Sequence, residues 1–112
     1  MAIKYFALDL VNEPNLIQEY EKYHENIWPE IKNSIVASGI NNMEIYRTGN
    51  RLFMVMEISG TYDEKIKTEN DINNPIVQEW ECLMWKYQQA LPWARPGEKW
   101  IELKSIFSLH SK

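Results

Sequence analysis

A two-layer α+β fold, with helices packed on one face of an antiparallel sheet, is predicted by three features of this sequence. Residues 3–11 and 43–59 are apolar-rich runs with turn residues at or between them, whose successive side chains sort onto two faces as strands do. Apolar residues recur every three to four positions in 14–37 and in 62–91, the period of amphipathic helices. The segments run strand, helix, strand, strand, helix, strand. That βαββαβ order is the split-βαβ, ferredoxin-like arrangement. A chain of 112 residues suits a single domain, 1–112, with a short tail from about residue 109.

The first strand is "IKYFALDLV", residues 3–11, and the first helix runs from about Pro14 to Ala37, ending near Gly39. "MEIYRTGNRLFMVMEIS" forms a hairpin around Thr48-Gly49-Asn50, where Gly and Asn tolerate positive φ. The second helical region, about Tyr62 to Leu91, should divide at Asn74-Pro75, because proline disfavours helical geometry in the residue before it. "KWIELKSIFSL" closes the fold as a strand. Alternation puts Phe6, Leu8, Leu10, Met43, Ile45, Leu52, Met54, Met56 and Ile58 toward the helices. The other face carries Ile3, Tyr5, Ala7, Tyr46, Phe53, Val55, Trp100 and Ile106 among several charges, and two helices cannot cover it as well. A second copy packed sheet to sheet would, so the expected assembly is a homodimer, a dimeric α/β barrel.

Composition narrows the function. The chain is 45% hydrophobic and 25% charged, ordinary for a soluble globular protein. Its net charge of −4, with Lys and Arg dispersed, leaves no basic patch for nucleic acid. No apolar run approaches the roughly 18 residues a membrane span needs. The N-terminal run lacks a small-residue cleavage site and is interrupted by Asp9, so it reads as a strand rather than a signal peptide. One cysteine, Cys82, excludes an internal disulfide framework and fits a reducing compartment, so a cytoplasmic protein is expected. Its place in an apolar helical stretch, with no cation beside it, reads as packing.

Metal and nucleophile chemistry find no pattern. The two histidines, His24 and His110, form no His-x-x-x-His pair, and there is no cysteine cluster, no Gly-x-Ser-x-Gly elbow and no glycine-rich phosphate loop. Neither a metal nor an organic cofactor is expected. Five Trp and six Tyr suit a core, and equally the C–H-rich face of a carbohydrate.

"YEKYHENIWPEI", residues 20–31, sets a histidine inside an apolar helical stripe. Leu16, Tyr20, Tyr23, Ile27, Ile31 and Ile35 share that stripe, and His24 lies one turn after Tyr20. A histidine so placed is either a core side chain bonded to a backbone carbonyl or an acid–base group in a small cavity. Pro29, five residues on, should kink the helix or start a new segment, which could open space beside the ring. In the second helical region Ile76, Val77, Trp80, Met84, Tyr87 and Leu91 form the inward stripe, with Glu81 and Trp85 on its flanks. Trp80 is either a core aromatic or the floor of a sugar site. Glu81 is either a solvated helix carboxylate or a group beside the same cavity.

Together these segments resemble the L-rhamnose mutarotase family, over nearly the whole chain from "FALDL" to "IFSL". "YEKYHENIWPEI" is similar to the family's Tyr-x-x-x-His-x-x-Ile-Trp-Pro-Glu, and "GINNMEIY", "RLFMVMEI" and "NPIVQEW" follow in order and spacing. The resemblance implies a small dimeric ferredoxin-like isomerase without a cofactor. It implies His24 as proton donor and Tyr20 as a substrate contact. Two positions depart from the pattern: Met43 stands where the family has a tyrosine, and Glu81 follows Trp80 where it has a tryptophan pair. Both belong to the implied sugar pocket, and the chain looks like the branch assigned to L-fucose as well as L-rhamnose.

The reaction so implied exchanges α and β anomers of a 6-deoxyhexose through the open-chain aldehyde. His24 would shuttle a proton to the ring oxygen, and Tyr20 or a water would serve the anomeric hydroxyl. Trp80 would stack on the sugar, Met43 would receive the 6-deoxy methyl group, and Glu81 would bind a hydroxyl. Two other classes share the fold: cofactor-free or haem-handling oxygenases, and non-catalytic sugar-binding or dimerisation modules.

Overall fold

The computed structural model describes residues 2–110; Met1, and Ser111 and Lys112 at the end of the expected tail, lie outside the described residues. The elements are β1 (Ala2–Leu10), α1 (Pro14–Glu25), α2 (Pro29–Ala37), β2 (Ile40–Thr48), β3 (Arg51–Ile58), α3 (Glu64–Ile72), α4 (Pro75–Trp85), β4 (Gln88–Gln89) and β5 (Ile101–Glu102). Three of the helices open on a proline, whose fixed φ suits the first helical position and whose missing N–H would have had no partner there. The Asn74 side chain caps α4, accepting from the Ile76 and Val77 N–H groups at 3.0 and 3.3 Å. Asp63 does the same for α3.

The first helical region breaks at Pro29, one of the two outcomes expected there, and the second ends earlier than expected. Residues 14–37 make two helices, because Asn26 (φ −152°, ψ 74°) and Trp28 (φ −58°, ψ 134°) leave helical geometry before Pro29 starts α2. The second region divides at Asn74-Pro75 but stops at Trp85 instead of Leu91. Tyr87 and Leu91 are still buried, since the chain drops onto the sheet there and packs without being helical.

The sheet order is β2-β3-β1-β4, with β5 also paired to β1, and all pairings are antiparallel. The strand position expected for residues 99–109 is divided between two short pieces. β4 takes the end of β1 (Asp9↔Gln89, Leu10↔Gln88), so β5 is left with Phe6↔Glu102 and Ala7↔Ile101. After Leu103 N–H donates to the Tyr5 carbonyl at 2.7 Å, the chain leaves the sheet.

Alternation sorts the central strands as expected. Leu8, Leu10, Leu52, Met54 and Met56 are buried under the helices. Trp100 does not lie on the outer face. The register that places Glu102 opposite Phe6 turns Trp100 toward the helices, where it packs on the core cluster of Leu10, Tyr20, Ile31, Leu52, Val77, Trp80, Met84 and Tyr87. Two other expectations fail at the solvent edge of α4, where Ile76 and Cys82 are exposed, so the thiol is not packed. On the outer face Ile3, Tyr5 and Tyr46 are about half exposed, at 50%, 49% and 55%. Among the described residues no helix is long and apolar enough to cross a membrane.

Candidate active site

The site lies where the helical layer is interrupted. His24 occupies the last turn of α1, just before the break at 26–28. Its Nδ1 is 2.8 Å from the Tyr20 carbonyl oxygen. A carbonyl can only accept, so Nδ1 carries the proton and Nε2 keeps a free lone pair. The ring sits between two aromatics, with its centroid 4.4 Å from that of Tyr20 and 5.8 Å from that of Trp80. Trp28 and Tyr23 meet Trp80 edge-on and fix its plane.

Beside this cluster opens a cleft of about 450 Å³ between the helices and the sheet, within the ~300–1,000 Å³ range of small-molecule sites. Tyr20, His24, Met43, Trp80 and Glu81, the five residues singled out in the sequence, all line it. A second groove, of about 570 Å³, shares His24, Ile27, Ile35, Met43 and Ile45 with the cleft. The imidazole therefore borders open space on two sides and is not sealed in hydrocarbon.

Burial sets the protonation states. Desolvation holds the His24 imidazole below its ordinary pKa, outweighing the hydrogen bond to the Tyr20 carbonyl, which acts in the opposite direction. Burial pushes the Tyr20 phenol up to about 12, opposed by a hydrogen bond from Gln88 and aided by the negative charge of Glu81. At neutral pH the cleft thus offers a neutral imidazole as proton acceptor and a protonated phenol as donor.

Among the other residues lining the cleft are Gln88, Lys99 and Trp100, none of which the sequence placed in the site. Lys99 is only 14% exposed; its ammonium pairs with the Glu81 carboxylate and lies 4.9 Å from the centre of the Trp85 ring. Glu81 is therefore a charge held in place rather than a solvated one. Gln88 reaches the cleft because its register partner, Leu10, faces the helices, whereas the adjacent Gln89 pairs with Asp9 and faces away. Its amide nitrogen donates to the Tyr20 hydroxyl at 3.2 Å, and its carbonyl oxygen is buried without a partner. An unmade buried hydrogen bond costs about 1–3 kcal/mol. The signal for Gln88 was a polar residue inside the apolar run "LMWKYQQAL", but nothing in that run separates it from Gln89. Among the described residues no cluster of three His, Cys, Asp or Glu side chains could hold a metal ion.

Comparison with known proteins agrees with the geometry. The family described as L-rhamnose mutarotase matches residues 4–109. A protein of Xanthomonas campestris pv. campestris named L-fucose mutarotase is 43% identical over 106 residues, covering 93% of this chain and 85% of the relative. A Listeria monocytogenes protein named L-rhamnose mutarotase is 30% identical over 102 residues, covering 86% and 88%. The crystal structure of an L-rhamnose mutarotase from Formosa agariphila superimposes with a TM-score of 0.72, over 98% of this chain and 100% of that one, at 24% identity, which establishes the common fold. The chain belongs to the L-rhamnose mutarotase family of sugar isomerases.

Proposed function

We propose that this protein interconverts the α and β anomers of a 6-deoxyhexose, L-fucose or L-rhamnose, with His24 as the group that moves the proton. The observation that carries this reading is the free Nε2 of a neutral imidazole at the edge of an open, aromatic-walled cleft. Nε2 takes the proton of the anomeric hydroxyl, the C1–ring-oxygen bond breaks, and the same nitrogen returns the proton to the ring oxygen. Both oxygens are bonded to C1, so one nitrogen serves both. Rotation about C1–C2 presents the other face of the aldehyde, and closure reverses each step. The Tyr20 hydroxyl donates to whichever oxygen carries the developing charge. These are proton transfers and one C–O cleavage; they require neither a redox group nor a metal.

Trp80 offers its indole to the C–H face of the sugar. Met43 and Ile45, on the strand side of the cleft, suit the 6-methyl group. Glu81, steadied by Lys99, accepts from a ring hydroxyl. L-Fucose is favoured by the 43% identical relative that carries its name. The half-exposed Ile3, Tyr5 and Tyr46 on the outer sheet face support a homodimer packed sheet to sheet, as a dimeric α/β barrel, and the lone exposed thiol Cys82 suits the cytoplasm.

The test is NMR magnetisation transfer between anomeric protons of L-fucose and of L-rhamnose, with and without protein. Faster exchange for either sugar is expected; binding without acceleration would make the protein a sugar-binding module, and unchanged exchange without binding would remove the reading. Sedimentation should give a dimer, and a monomer at micromolar concentration would overturn the sheet-to-sheet assembly.

A further inference from the structure

One polar side chain in the cleft has a bonding demand that neither the fold nor the proton shuttle meets. Gln88 is 6% exposed and rises from β4 on the helix side of the sheet, opposite Leu10. One end of its amide donates to the Tyr20 hydroxyl at 3.2 Å. The other end, Oε1, is buried and unpartnered. Buried amide oxygens are almost always bonded, by protein or by ordered water. A methionine here would occupy nearly the same volume with no polar atom to desolvate. Gln88 lines the cleft together with His24, Trp80 and Glu81, which puts an occupant of that space beside its amide. A sugar hydroxyl is such a donor.

We propose that Gln88 is a sugar-positioning residue, holding the Tyr20 hydroxyl with one end of its amide and accepting a hydrogen bond from a sugar hydroxyl with the other. Because the Tyr20 oxygen accepts from Gln88, its own proton is left to point at the guest. The proposal rests on the mutarotase reading and adds to it a contact that forms only when the cleft is filled. Removing the amide relieves the unpartnered oxygen but forfeits the bond to the buried Tyr20 hydroxyl, two effects of similar size, so affinity should fall while the stability of the empty protein changes little.

The experiment compares wild type with Gln88→Met and Gln88→Leu, measuring anomer exchange of L-fucose and L-rhamnose against sugar concentration, and thermal unfolding without sugar. Expected is a KM raised about 3- to 10-fold, the worth of one neutral hydrogen bond, a smaller change in kcat, and an unfolding midpoint within about 8 °C of wild type. Two variants of different shape guard against a packing fault in either one. An unchanged KM, or a raised KM with a midpoint lowered by more than about 8 °C in both variants, would assign Gln88 to packing and overturn the proposal. If wild type itself accelerates neither sugar, the mutarotase reading fails and this inference falls with it. Acceleration by wild type with unaltered KM in both variants sinks the Gln88 proposal alone.

Discussion

Replacing His24 with asparagine separates the two ring nitrogens. The asparagine amide nitrogen falls close to where Nδ1 lies, so His24→Asn keeps a donor for the Tyr20 carbonyl, now 2.8 Å from Nδ1, and deletes Nε2. The stability lost is chiefly the stacking of the ring on Tyr20 and Trp80, at centroid distances of 4.4 and 5.8 Å. Each such contact is worth about 0.5–1.5 kcal/mol, so the fold should lose roughly 1–3 kcal/mol, out of the ~5–15 typical of a domain. Loss of a positioned acid–base group costs about 10² to 10⁴-fold in rate, or roughly 3–5 kcal/mol of barrier. A loss of folding stability that small leaves most molecules folded and cannot mimic such a rate effect. The assay is anomeric magnetisation transfer beside circular dichroism melts. A folded His24→Asn protein exchanging within about threefold of wild type would refute the role of Nε2. The pH dependence gives a second check. Burial lowers the His24 pKa below 6.5, and the neutral ring is the acceptor, so wild-type activity should hold from pH 8 to 6.5 and fall only below that. The folded pKa is depressed, so the stability His24 contributes is present above its unfolded value, about 6.5, and is lost as pH falls through the folded one. The gap in melting temperature between wild type and His24→Asn should narrow on acidification. An activity midpoint above 6.5 would contradict the burial argument.

Two other substitutions probe the frame around the site. Gly39 has φ +97°, and a Cβ there would come within 3.0 Å of Ser59 Oγ and 3.1 Å of Tyr62 Cα. Gly39→Ala should therefore cost about 1–3 kcal/mol in urea unfolding, and a loss under about 0.5 would show that the turn relaxes freely. Lys99→Met keeps the buried stem but frees Glu81, which is 44% exposed. Unfolding stability should change by less than about 1 kcal/mol while KM for the sugar rises severalfold; an unchanged KM would remove Glu81 from the binding surface.

Period and punctuation carried the fold as far as local physics could. The hairpin pairing of β2 with β3 and the inward face of Leu8, Leu10, Leu52, Met54 and Met56 follow from alternation alone. Proline placed the starts of α2 and α4 for the same local reason. What could not be read was decided between distant segments. Tyr87 to Leu91 continue a helical period, yet the backbone bonds of this stretch go to β1, as when Val11 N–H donates to the Tyr87 carbonyl at 2.8 Å. That one choice ends α4 early, sends Gln88 into the cleft and displaces the closing strand. Trp100 falls on the outer face by alternation along residues 99–109, but the strand there is only two residues long. Its direction comes from the pairing of Glu102 with Phe6, which no local pattern encodes. The site was legible where chemistry is rare, at a histidine in an apolar stripe. It was illegible where chemistry is common, at a glutamine or a lysine.

The same division explains where the cleft is. A helix laid without interruption over a sheet interdigitates with it at close-packed density and leaves no void for a guest. Here Tyr20, Trp80 and Glu81 reach the cleft from within α1 and α4, but other residues of the site sit at interruptions: His24 in the turn before the break at 26–28, Gln88 on a two-residue strand, and Lys99 and Trp100 where the chain rejoins β1. At such points the backbone is free to turn a side chain inward without a neighbour one turn away filling the same space. The cost is visible in the desolvated imidazole and the unpartnered carbonyl oxygen. The imidazole borders open space, whereas the Gln88 oxygen has no partner among the described residues, so the proposed sugar contact matters most at Gln88. An apolar residue there should leave the fold about as stable and turn over less sugar at low concentration.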